Sequence, residues 1–596
     1  MLNIANYNAE YVKSKVPEVF ELAAADSIDD VRQRLSQYAH HMTFETFDDY
    51  DSLQQGSIIR VRDCARAFIF MLSRRSDDKA GFSIAGAVWD IAQGHSRPDL
   101  TPAFYAELLH LLLGIQGRGP GTPLVDLLLT PSRMTGREAA IDRSRQLDEL
   151  SLEVQLRFAR YSSGLTEDAI RRREARRTRM LNIFNIPLET WYDWNWQVQH
   201  ILRDGDQIAS LVTLSDEENR VITSARKSGL PFGITPYYLS LMDDEPNDGR
   251  DRAIRAQVIP SATYVEHMAH LGDDRKSCDF MRETDTSPVD LVTRRYPQIC
   301  IFKPFNTCPQ ICVYCQRNWE IDDPMQVGAL ASDEDIERAL QWIEAHPAIH
   351  EVLITGGDPL AMSDADIERI LDGVARIPSI ERIRIGSRVF VTMPMRITDA
   401  LADLLARYRI PGKRQVAVVT HVQHPYELTP ETAQAVEKLT RRGIKVYNQL
   451  VYTFFVSRRF EASLLRQQLA LLGIDPYYTF NAKGKDETVA YRVPLARLLQ
   501  EQKEEARLLP GLARTDEAVY NVPGMGKNYL RARQHRDLIS ILPNGARLYE
   551  FHAWEKNIST TRSTDVCEDV PILEYLQRLN AIGEDVSEYD TIWYYF

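Results

Sequence analysis

The chain has 596 residues, of which 44% are hydrophobic and 26% are charged, and its formal net charge at pH 7 is -13. This length predicts two or three domains, and the composition is typical of a globular protein in aqueous solution. The negative charge disfavours nucleic acid and anionic membranes as partners. No apolar run approaches the ~20 residues that span a bilayer, and residues 1–20 do not resemble a signal peptide. We therefore expect a cytoplasmic protein.

Residues 1–188 are predicted to form a mostly helical N-terminal extension, and residues 189–290 a second helical region. The role of the extension is open: it could be an oligomerisation layer, a lid or a docking site. Its basic run, residues 171–179 (RRREARRTR), is predicted to be a solvated helix face, with a surface for an anionic partner as the alternative.

Residues 291–485 alternate short β-branched runs with amphipathic helical stretches. Ser332 and Ser363 precede acidic residues as helix N-caps do, and Thr429 is followed by Pro430 at a first helical position. This alternation predicts an α/β fold of parallel strands, a partial (βα)6 barrel with its chemistry at the carboxyl ends of the strands. Residues 486–596 are assigned to a C-terminal region. The predicted strands are Ile299–Phe305, Glu351–Thr355, Ile383–Ser387, Val416–His421, Ile444–Leu450 and Tyr477–Phe480.

Three of the seven cysteines, Cys308, Cys312 and Cys315, fall within eight residues directly after the first predicted strand. Three thiolates can hold three irons of a [4Fe–4S] cluster and leave the fourth iron open to an outside ligand. A structural zinc ion is the alternative, although it normally takes four ligands. Tyr314, beside the last cysteine, is expected to pack against a bound adenine.

The cysteine spacing resembles the signature of the radical S-adenosylmethionine superfamily. That resemblance implies that S-adenosylmethionine chelates the open iron and yields a deoxyadenosyl radical. Strand Glu351–Thr355 ends in Gly356, Gly357 and Asp358. The glycines allow close approach of a ligand, and Asp358 offers a carboxylate to an ammonium group. Taken alone, this loop would be read as a plain turn.

Further segments resemble the lysine 2,3-aminomutase family, over roughly residues 189–560. They are WYDWNWQV from Trp191, TPYYLSL from Thr235, TDTSP from Thr284, RYP from Arg295, RIGSR from Arg384, RIT from Arg396, HxxHP from His421 and NQ at Asn448. That family uses pyridoxal phosphate held by a lysine, which matches Lys527 of NVPGMGK. A P-loop is disfavoured because Asn528 stands where Ser or Thr is needed. The family's glycine run is one residue longer than the run here.

The resemblance assigns roles to other residues, each of which could instead be an ordinary surface or strand-end residue. Arg317 matches an arginine that clamps the substrate α-carboxylate, a role that suits a bidentate guanidinium. Ile299 replaces a second phosphate-binding arginine of the family, and only Cys567 lies near the family's late zinc cysteines, so we expect no structural zinc. Arg295 and Tyr296 match phosphate-binding positions, and the positions that line S-adenosylmethionine match Ser387, Arg388, His421 and Gln449.

Two positions indicate the substrate. Lysine 2,3-aminomutases hold the distal ammonium with two aspartates, and the matching positions here are Lys483 and Asn521. A lysine repels an ammonium and attracts a carboxylate, so the pair resembles the glutamate 2,3-aminomutase branch. Aspartate is the rival substrate. The loop could also align differently, since Lys485 is a near neighbour.

The resemblance implies an isomerase that moves the amino group of an acidic L-α-amino acid, L-glutamate, to the β-carbon. It also implies an electron donor such as flavodoxin or ferredoxin, and a homo-oligomer. One alternative is a pyridoxal-dependent radical enzyme with a different outcome. Another is a paralogue that modifies a protein and needs no internal Lys527.

Overall fold

The computed structural model describes residues 4–44, 55–122, 124, 134–244, 249–272, 274–482, 485–552 and 563–596. The first third of these residues is helical, as predicted. Ser73, Ser83 and Thr101 cap three of the helices by accepting a hydrogen bond from the backbone N–H three residues later. The helices are α1 (Ala9–Lys15), α2 (Pro17–Ala23), α3 (Ile28–Phe44), α4 (Gln55–Met71), α5 (Arg74–Ala80), α6 (Ile84–Gln93), α7 (Pro102–Ile115), α8 (Gly136–Phe158) and α9 (Glu167–Phe184).

The second helical region leads from α9 to the first strand and packs beside the barrel. Its Ser215 and Glu218 form a reciprocal capping box at the start of α13. The helices are α10 (Leu188–Trp191), α11 (Trp194–Gln199), α12 (Gly205–Ala209), α13 (Asp216–Lys227), α14 (Pro236–Leu239), α15 (Arg252–Ala256) and α16 (Ala262–Leu271).

A nine-stranded sheet forms the centre of the molecule, with its strands in sequence order. Neighbouring strands from β2 to β8 are parallel, and the edge strands β1 and β9 are antiparallel to their neighbours. The six predicted strands coincide with β2–β7 to within three residues at each end. The strands are β1 (Val292–Thr293), β2 (Ile299–Phe305), β3 (Glu351–Gly356), β4 (Arg382–Gly386), β5 (Gln415–Thr420), β6 (Lys445–Tyr452), β7 (Ile474–Asn481), β8 (Glu517–Val522) and β9 (Gly526–Tyr529).

A helix follows each of β2–β7, which gives the predicted partial (βα)6 barrel. Ser332, Ser363 and Thr429 cap their helices as expected. Val352 and Ile354 of β3 are buried under these helices, while the alternate residues of the strand face the inside of the curved sheet. The helices are α17 (Asp333–Glu344), α18 (Asp364–Arg376), α19 (Val389–Thr392), α20 (Asp399–Arg407), α21 (Pro430–Thr440), α22 (Glu461–Leu471) and α23 (Leu495–Gln500).

A second, three-stranded antiparallel sheet joins the two ends of the chain. It consists of β10 (Arg536–Ile541), β11 (Arg547–His552) and β12 (Thr564–Glu568), and α24 (Ile572–Ala581) follows it. Arg547 of β11 pairs with Glu107 of α7 at 3.0 Å, and both side chains are 2% exposed. The backbone N–H of Thr101 also donates to the carbonyl of Pro543 at 3.0 Å. The N-terminal helices therefore pack on residues more than 400 positions later.

The basic run of α9 is only partly solvated, so the predicted solvated face is wrong for two of its residues. Arg173 and Arg176 are buried. Arg173 pairs with Glu431 at 3.0 Å, and Arg176 pairs with Asp243 at 2.9 Å. These arginines bind carboxylates of the barrel and of the second helical region, so the run holds the extension against the rest of the protein. No helix in the described part of the chain is long and apolar enough to cross a membrane.

Candidate active site

A cavity of about 370 Å³ lies inside the curved sheet, among residues at and beyond the carboxyl ends of its strands. Every predicted site residue that the structure describes lines it. Lys483 lies outside the described residues. The predicted residues in the lining are Arg295, Tyr296, Cys308, Cys312, Tyr314, Cys315, Arg317, Gly356, Gly357, Asp358, Ser387, Arg388, His421, Gln449, Asn521 and Lys527.

The three cysteines lie in an irregular loop that begins three residues after β2 ends. Burial and the neighbouring thiols raise the pKa of Cys308 and of Cys312, so without a cation these thiols stay protonated. Zinc ligands about 2.3 Å from the ion would bring thiol sulfurs within about 4 Å of one another. In the described residues, three ligand atoms come within 4.8 Å of each other only at Asp537, Glu550 and His552. The sulfurs of the three cysteines therefore do not all lie within 4.8 Å of one another, which suits a cluster of several irons better than one zinc ion.

Arg388 connects the cysteine loop to the next two loops. Its Nη1 donates to the sulfur of Cys312 at 2.7 Å, and its backbone N–H donates to Asp358 Oδ2 at 2.7 Å. Its Nη2 pairs with the buried carboxylate of Glu427 at 2.8 Å. A guanidinium in this position stabilises negative charge on the sulfur. The Tyr314 hydroxyl donates to Gln257 Oε1 at 2.9 Å, and Arg388 Nη2 donates to the same oxygen.

The loop after β3 approaches the cysteine loop closely. Gly357 donates to the carbonyl of Phe305 at 2.7 Å, and Asp358 donates to that of Thr307 at 2.9 Å. A Cβ at Gly357 would lie less than 3.0 Å from the backbone of Thr307, so only glycine fits. Burial raises the pKa of Asp358 to about 6, against hydrogen bonds from Ser387, Arg388 and Leu360 that favour the carboxylate.

His421 directly follows β5, and Gln449 lies within β6, three residues before that strand ends. Burial and the nearby Arg388 lower the pKa of His421 to about 4, so the imidazole is neutral near pH 7. The strand pairing of β6 shifts by one residue between Asn448 and Gln449, which redirects the chain at the cavity wall. A neutral imidazole and an amide at this wall can donate or accept hydrogen bonds without adding charge.

Lys527 is presented by the β8–β9 hairpin, directly opposite Asn521. The turn between the strands uses Gly524 at φ +67° and Gly526 at φ +95°, backbone conformations that favour glycine. Lys527 lies within strand β9, where a P-loop would begin a helix, so this alternative is wrong. Lys527 Nζ donates to the hydroxyl of Tyr296 at 2.9 Å.

Two aromatic rings flank the Lys527 ammonium. It lies 4.6 Å from the centroid of Tyr296 and 5.1 Å from that of Tyr478, a residue that sequence reasoning missed. Tyr478 belongs to β7 and touches the hydroxyl of Tyr529 at 3.3 Å. These contacts stabilise the protonated lysine and hold its side chain in the cavity.

Arg295 and Arg317 each leave part of the guanidinium without a partner. Among the described residues, no hydrogen bond is made by the buried Nη2 of Arg295 or the buried Nη1 of Arg317. The other Arg317 nitrogen, Nη2, binds the carboxylate of Glu283. Although burial opposes ionisation, Arg317, Lys303 and Arg295 hold the pKa of Glu283 below its ordinary value. Buried unpaired guanidinium nitrogens on a cavity wall fit a phosphate or a carboxylate.

Lys485, to which the sequence analysis assigned no role beyond that of an alternative alignment for Lys483, also lines the cavity. It is buried, and its Nζ contacts Cys315 O at 2.7 Å, Asn318 Oδ1 at 3.2 Å and Glu487 Oε1 at 2.8 Å. The ammonium thus makes two hydrogen bonds and one ion pair within the protein. No spacing in the sequence marks this lysine, because its partners lie on two different loops.

The profile of the Radical SAM superfamily matches residues 302–455, which contain the cysteine loop and five of the strands around the cavity. The protein is therefore a radical S-adenosylmethionine enzyme, and this class implies a [4Fe–4S] cluster and S-adenosylmethionine. The spacing of Cys308, Cys312 and Cys315 in the sequence agrees with this.

Longer matches identify the family. An uncharacterised KamA family protein of Methanocaldococcus jannaschii is 42% identical over 98% of this chain and 97% of its own length. The chain belongs to the KamA family. A glutamate 2,3-aminomutase of Clostridioides difficile is 35% identical over 52% of this chain and 69% of its own length. An L-lysine 2,3-aminomutase of Bacillus subtilis is 32% identical over 53% of this chain and 64% of its own length. The enzyme is thus related to the 2,3-aminomutases.

Proposed function

We propose that this enzyme is a pyridoxal phosphate-dependent 2,3-aminomutase that converts L-glutamate to the β-amino acid. The charge of the cavity wall carries the proposal. Among the described residues, one carboxylate, Asp358, faces six cationic side chains, which are Arg295, Arg317, Arg384, Arg388, Lys485 and Lys527. A dicarboxylic amino acid, a phosphate and the carboxylate of S-adenosylmethionine are all anionic and suit such a wall.

Four of these six cations form ion pairs with carboxylates that lie outside the cavity lining. Glu351 pairs with Arg384 at 3.2 Å, and Glu427 pairs with Arg388 at 2.8 Å. Glu283 pairs with Arg317, and Glu487 pairs with Lys485. Because these carboxylates lie outside the cavity lining, a ligand meets the positive sides of the pairs. A substrate with a distal ammonium, such as lysine, would find no carboxylate near Lys527 or Asn521 in the described lining.

The contacts that Lys485 already makes within the protein favour Lys483 as the residue that binds the distal carboxylate of the substrate. The Lys485 ammonium already donates hydrogen bonds to Cys315 O and Asn318 Oδ1 and pairs with the Glu487 carboxylate, so a substrate carboxylate would have to compete with these partners. Lys483 lies two residues earlier in the sequence, and Asn521 is uncharged. This arrangement supports glutamate over lysine, and aspartate remains the second candidate because it carries the same charges.

The residues present fit pyridoxal phosphate. Lys527 would hold its aldehyde carbon, and the unpaired Nη2 of Arg295 with the hydroxyl of Tyr296 would hold its phosphate. When bound, pyridoxal phosphate supplies an electron-accepting ring, and the cluster with S-adenosylmethionine supplies the radical. Asp358 would accept the ammonium of S-adenosylmethionine, and Arg317 would orient the substrate α-carboxylate. The apolar residues Ile299, Ile301, Leu353 and Val451 line the cavity and limit water around the reacting atoms.

An anaerobic assay tests the proposal. Reconstituted protein is supplied with S-adenosylmethionine, pyridoxal phosphate and a one-electron donor, either dithionite or reduced flavodoxin or ferredoxin. Glutamate, aspartate, lysine and arginine are offered separately, and products are read by NMR. We expect β-glutamate. Turnover of lysine or arginine would refute the charge argument, and an elimination product would show a different pyridoxal-dependent reaction.

Lys527→Ala separates an aminomutase from a paralogue that modifies a protein. We expect the variant to lose pyridoxal absorbance while it still cleaves S-adenosylmethionine, because Lys527 is not in the cysteine loop. Lys503→Ala is the matched control, since Lys503 is absent from the cavity lining. Size-exclusion chromatography with light scattering tests the homo-oligomer that we also propose.

A further inference from the structure

Glu283 links Arg295 and Arg317, two cavity arginines that each have a buried nitrogen without a hydrogen-bond partner among the described residues. Its side chain is 4% exposed, and its carboxylate accepts hydrogen bonds from Arg317 Nη2 and from the hydroxyl of Thr293, the latter at 3.2 Å. Lys303 Nζ lies 3.7 Å from the same oxygen. Two cations therefore converge on one buried carboxylate, which keeps it ionised.

The main chain of Glu283 reaches the other arginine. The Glu283 carbonyl accepts a hydrogen bond from the hydroxyl of Thr286 at 3.1 Å, and the same hydroxyl oxygen accepts one from Arg295 Nε at 3.3 Å. Thr286 thus passes the orientation of the Glu283 backbone to the Arg295 guanidinium. The turn Thr284–Thr286 that makes this link is a short 3₁₀ helix with Glu283 at its N-cap position.

We propose that Glu283 is a positioning residue that fixes the distance between two anion-binding guanidinium groups. Its side chain aims Arg317 at the substrate carboxylate, and its carbonyl, through Thr286, aims Arg295 at the cofactor phosphate. The inference rests on the proposed function, since it takes the two anions from there. Fixed spacing matters because a misplacement of about 1 Å between reacting groups can slow a reaction by about 100-fold.

A purely structural counter-ion would behave differently from a positioning residue. Loss of a structural contact would loosen the whole turn and weaken both ligands together. The two arms found here are separable, because one passes through the side chain of Glu283 and the other through its main chain. Replacing the side chain removes only the first arm, and replacing the Thr286 hydroxyl removes only the second.

Two variants of the full-length protein test the two arms, with the cluster reconstituted and no reductant present. L-glutamate is titrated calorimetrically in the presence of pyridoxal phosphate, and pyridoxal phosphate is titrated by absorbance. Glu283→Ala should weaken glutamate binding about tenfold, as expected for one charge-assisted hydrogen bond. Its affinity for pyridoxal phosphate should change less than about twofold. Thr286→Val should give the opposite pattern.

Matched controls come from the same neighbourhood. The Glu320 carboxylate pairs with Lys303 at 3.7 Å. Its bond to Arg317 runs from the Glu320 backbone N–H to the Arg317 carbonyl at 3.0 Å, which alanine keeps, so Glu320→Ala should leave both affinities unchanged. Thr284→Val, in the same 3₁₀ turn, should also leave both unchanged. If Glu283→Ala does not fold, isosteric Glu283→Gln should give a smaller loss that is still confined to glutamate.

The outcomes separate the inference from the proposed function. Equal losses of both ligands in each variant, or no loss in either, would overturn the positioning role while wild-type binding upholds the function. Wild-type protein that binds neither glutamate nor pyridoxal phosphate would overturn the proposed function and this inference with it.

Discussion

The close approach of the β3 loop to the cysteine loop makes Gly357→Ala a sharp test of how the site is built. The new methyl group would lie less than 3.0 Å from the nitrogen, carbon and oxygen of Thr307. All three are main-chain atoms, so no side-chain rotation relieves the overlap. The two loops must separate, which breaks the hydrogen bonds from Gly357 to Phe305 and from Asp358 to Thr307.

The cost follows from these contacts. Two backbone hydrogen bonds contribute about 1 kcal/mol each, and overpacking costs about 1–3 kcal/mol. We therefore expect a loss of about 3–5 kcal/mol in the stability of this region. Thr307 precedes Cys308, so the displacement moves the first cluster ligand, and we expect Gly357→Ala to take up less than half of the wild-type iron.

Iron and sulfide analysis after anaerobic reconstitution measures the effect, together with electron paramagnetic resonance of the reduced protein. Gly511→Ala is the control, because a Cβ there meets nothing within 4 Å. If Gly357→Ala binds wild-type iron and unfolds within about 1 kcal/mol of the parent, the two loops are not in rigid contact, and the reasoning fails.

Three other experiments test buried ionisable side chains. Burial lowers the pKa of His110 to about 3 in the folded protein. Between about pH 6.5 and pH 3, therefore, only the unfolded chain binds a proton at this histidine. The free energy of unfolding is unaffected by His110 above about pH 6.5 and falls by up to about 1.4 kcal/mol per pH unit below it. His110→Gln should flatten this dependence in urea unfolding between pH 5 and 7. Lys485→Met should cost about 3–5 kcal/mol by leaving Glu487 buried and unpaired, and adding Glu487→Gln should recover most of the loss. Arg176→Met should cost about 1.5–3 kcal/mol by removing one charge-assisted hydrogen bond to the buried Asp243, which keeps its contacts with Arg250 and Tyr426; urea unfolding measures the loss.

For each of these predictions, one outcome would contradict the reasoning. An unchanged pH slope in His110→Gln would mean that this histidine is solvated in the folded protein. A double variant as unstable as Lys485→Met alone would mean that packing, rather than the unpaired carboxylate, sets the loss. Wild-type stability of Arg176→Met would mean that the α9 arginine does not anchor the extension.

Local patterns in the sequence predicted the barrel well. β2 has the predicted bounds Ile299–Phe305, since a short β-branched run between turn residues is defined by neighbouring residues alone. The N-caps at Ser332, Ser363 and Thr429 depend on a side chain and the N–H three residues later, which is also local information. The cysteine spacing and the glycine loop marked the cavity for the same reason.

Long-range pairing could not be predicted from the sequence. Arg176 looked like part of a solvated basic run, and only the fold brings Asp243 to it. Glu283 and Lys485 carry no motif, because their partners come from separate loops. The short strand Gly526–Tyr529 contains glycine and asparagine, residues that are depleted in strands, and it exists because β8 pairs with it.

The contact between the N-terminal helices and the β10–β12 sheet has a consequence for biosynthesis. During translation, α4 and α7 emerge long before their partners, and the buried Glu107 stays without Arg547 until about 440 further residues are made. The early helices must therefore wait with an apolar face uncovered, which exposes them to chaperones and to aggregation. Contacts of this sequence separation also slow folding. The barrel strands lie between these two regions in the sequence and pair with their neighbours in sequence order, so they can form before the two ends of the chain meet.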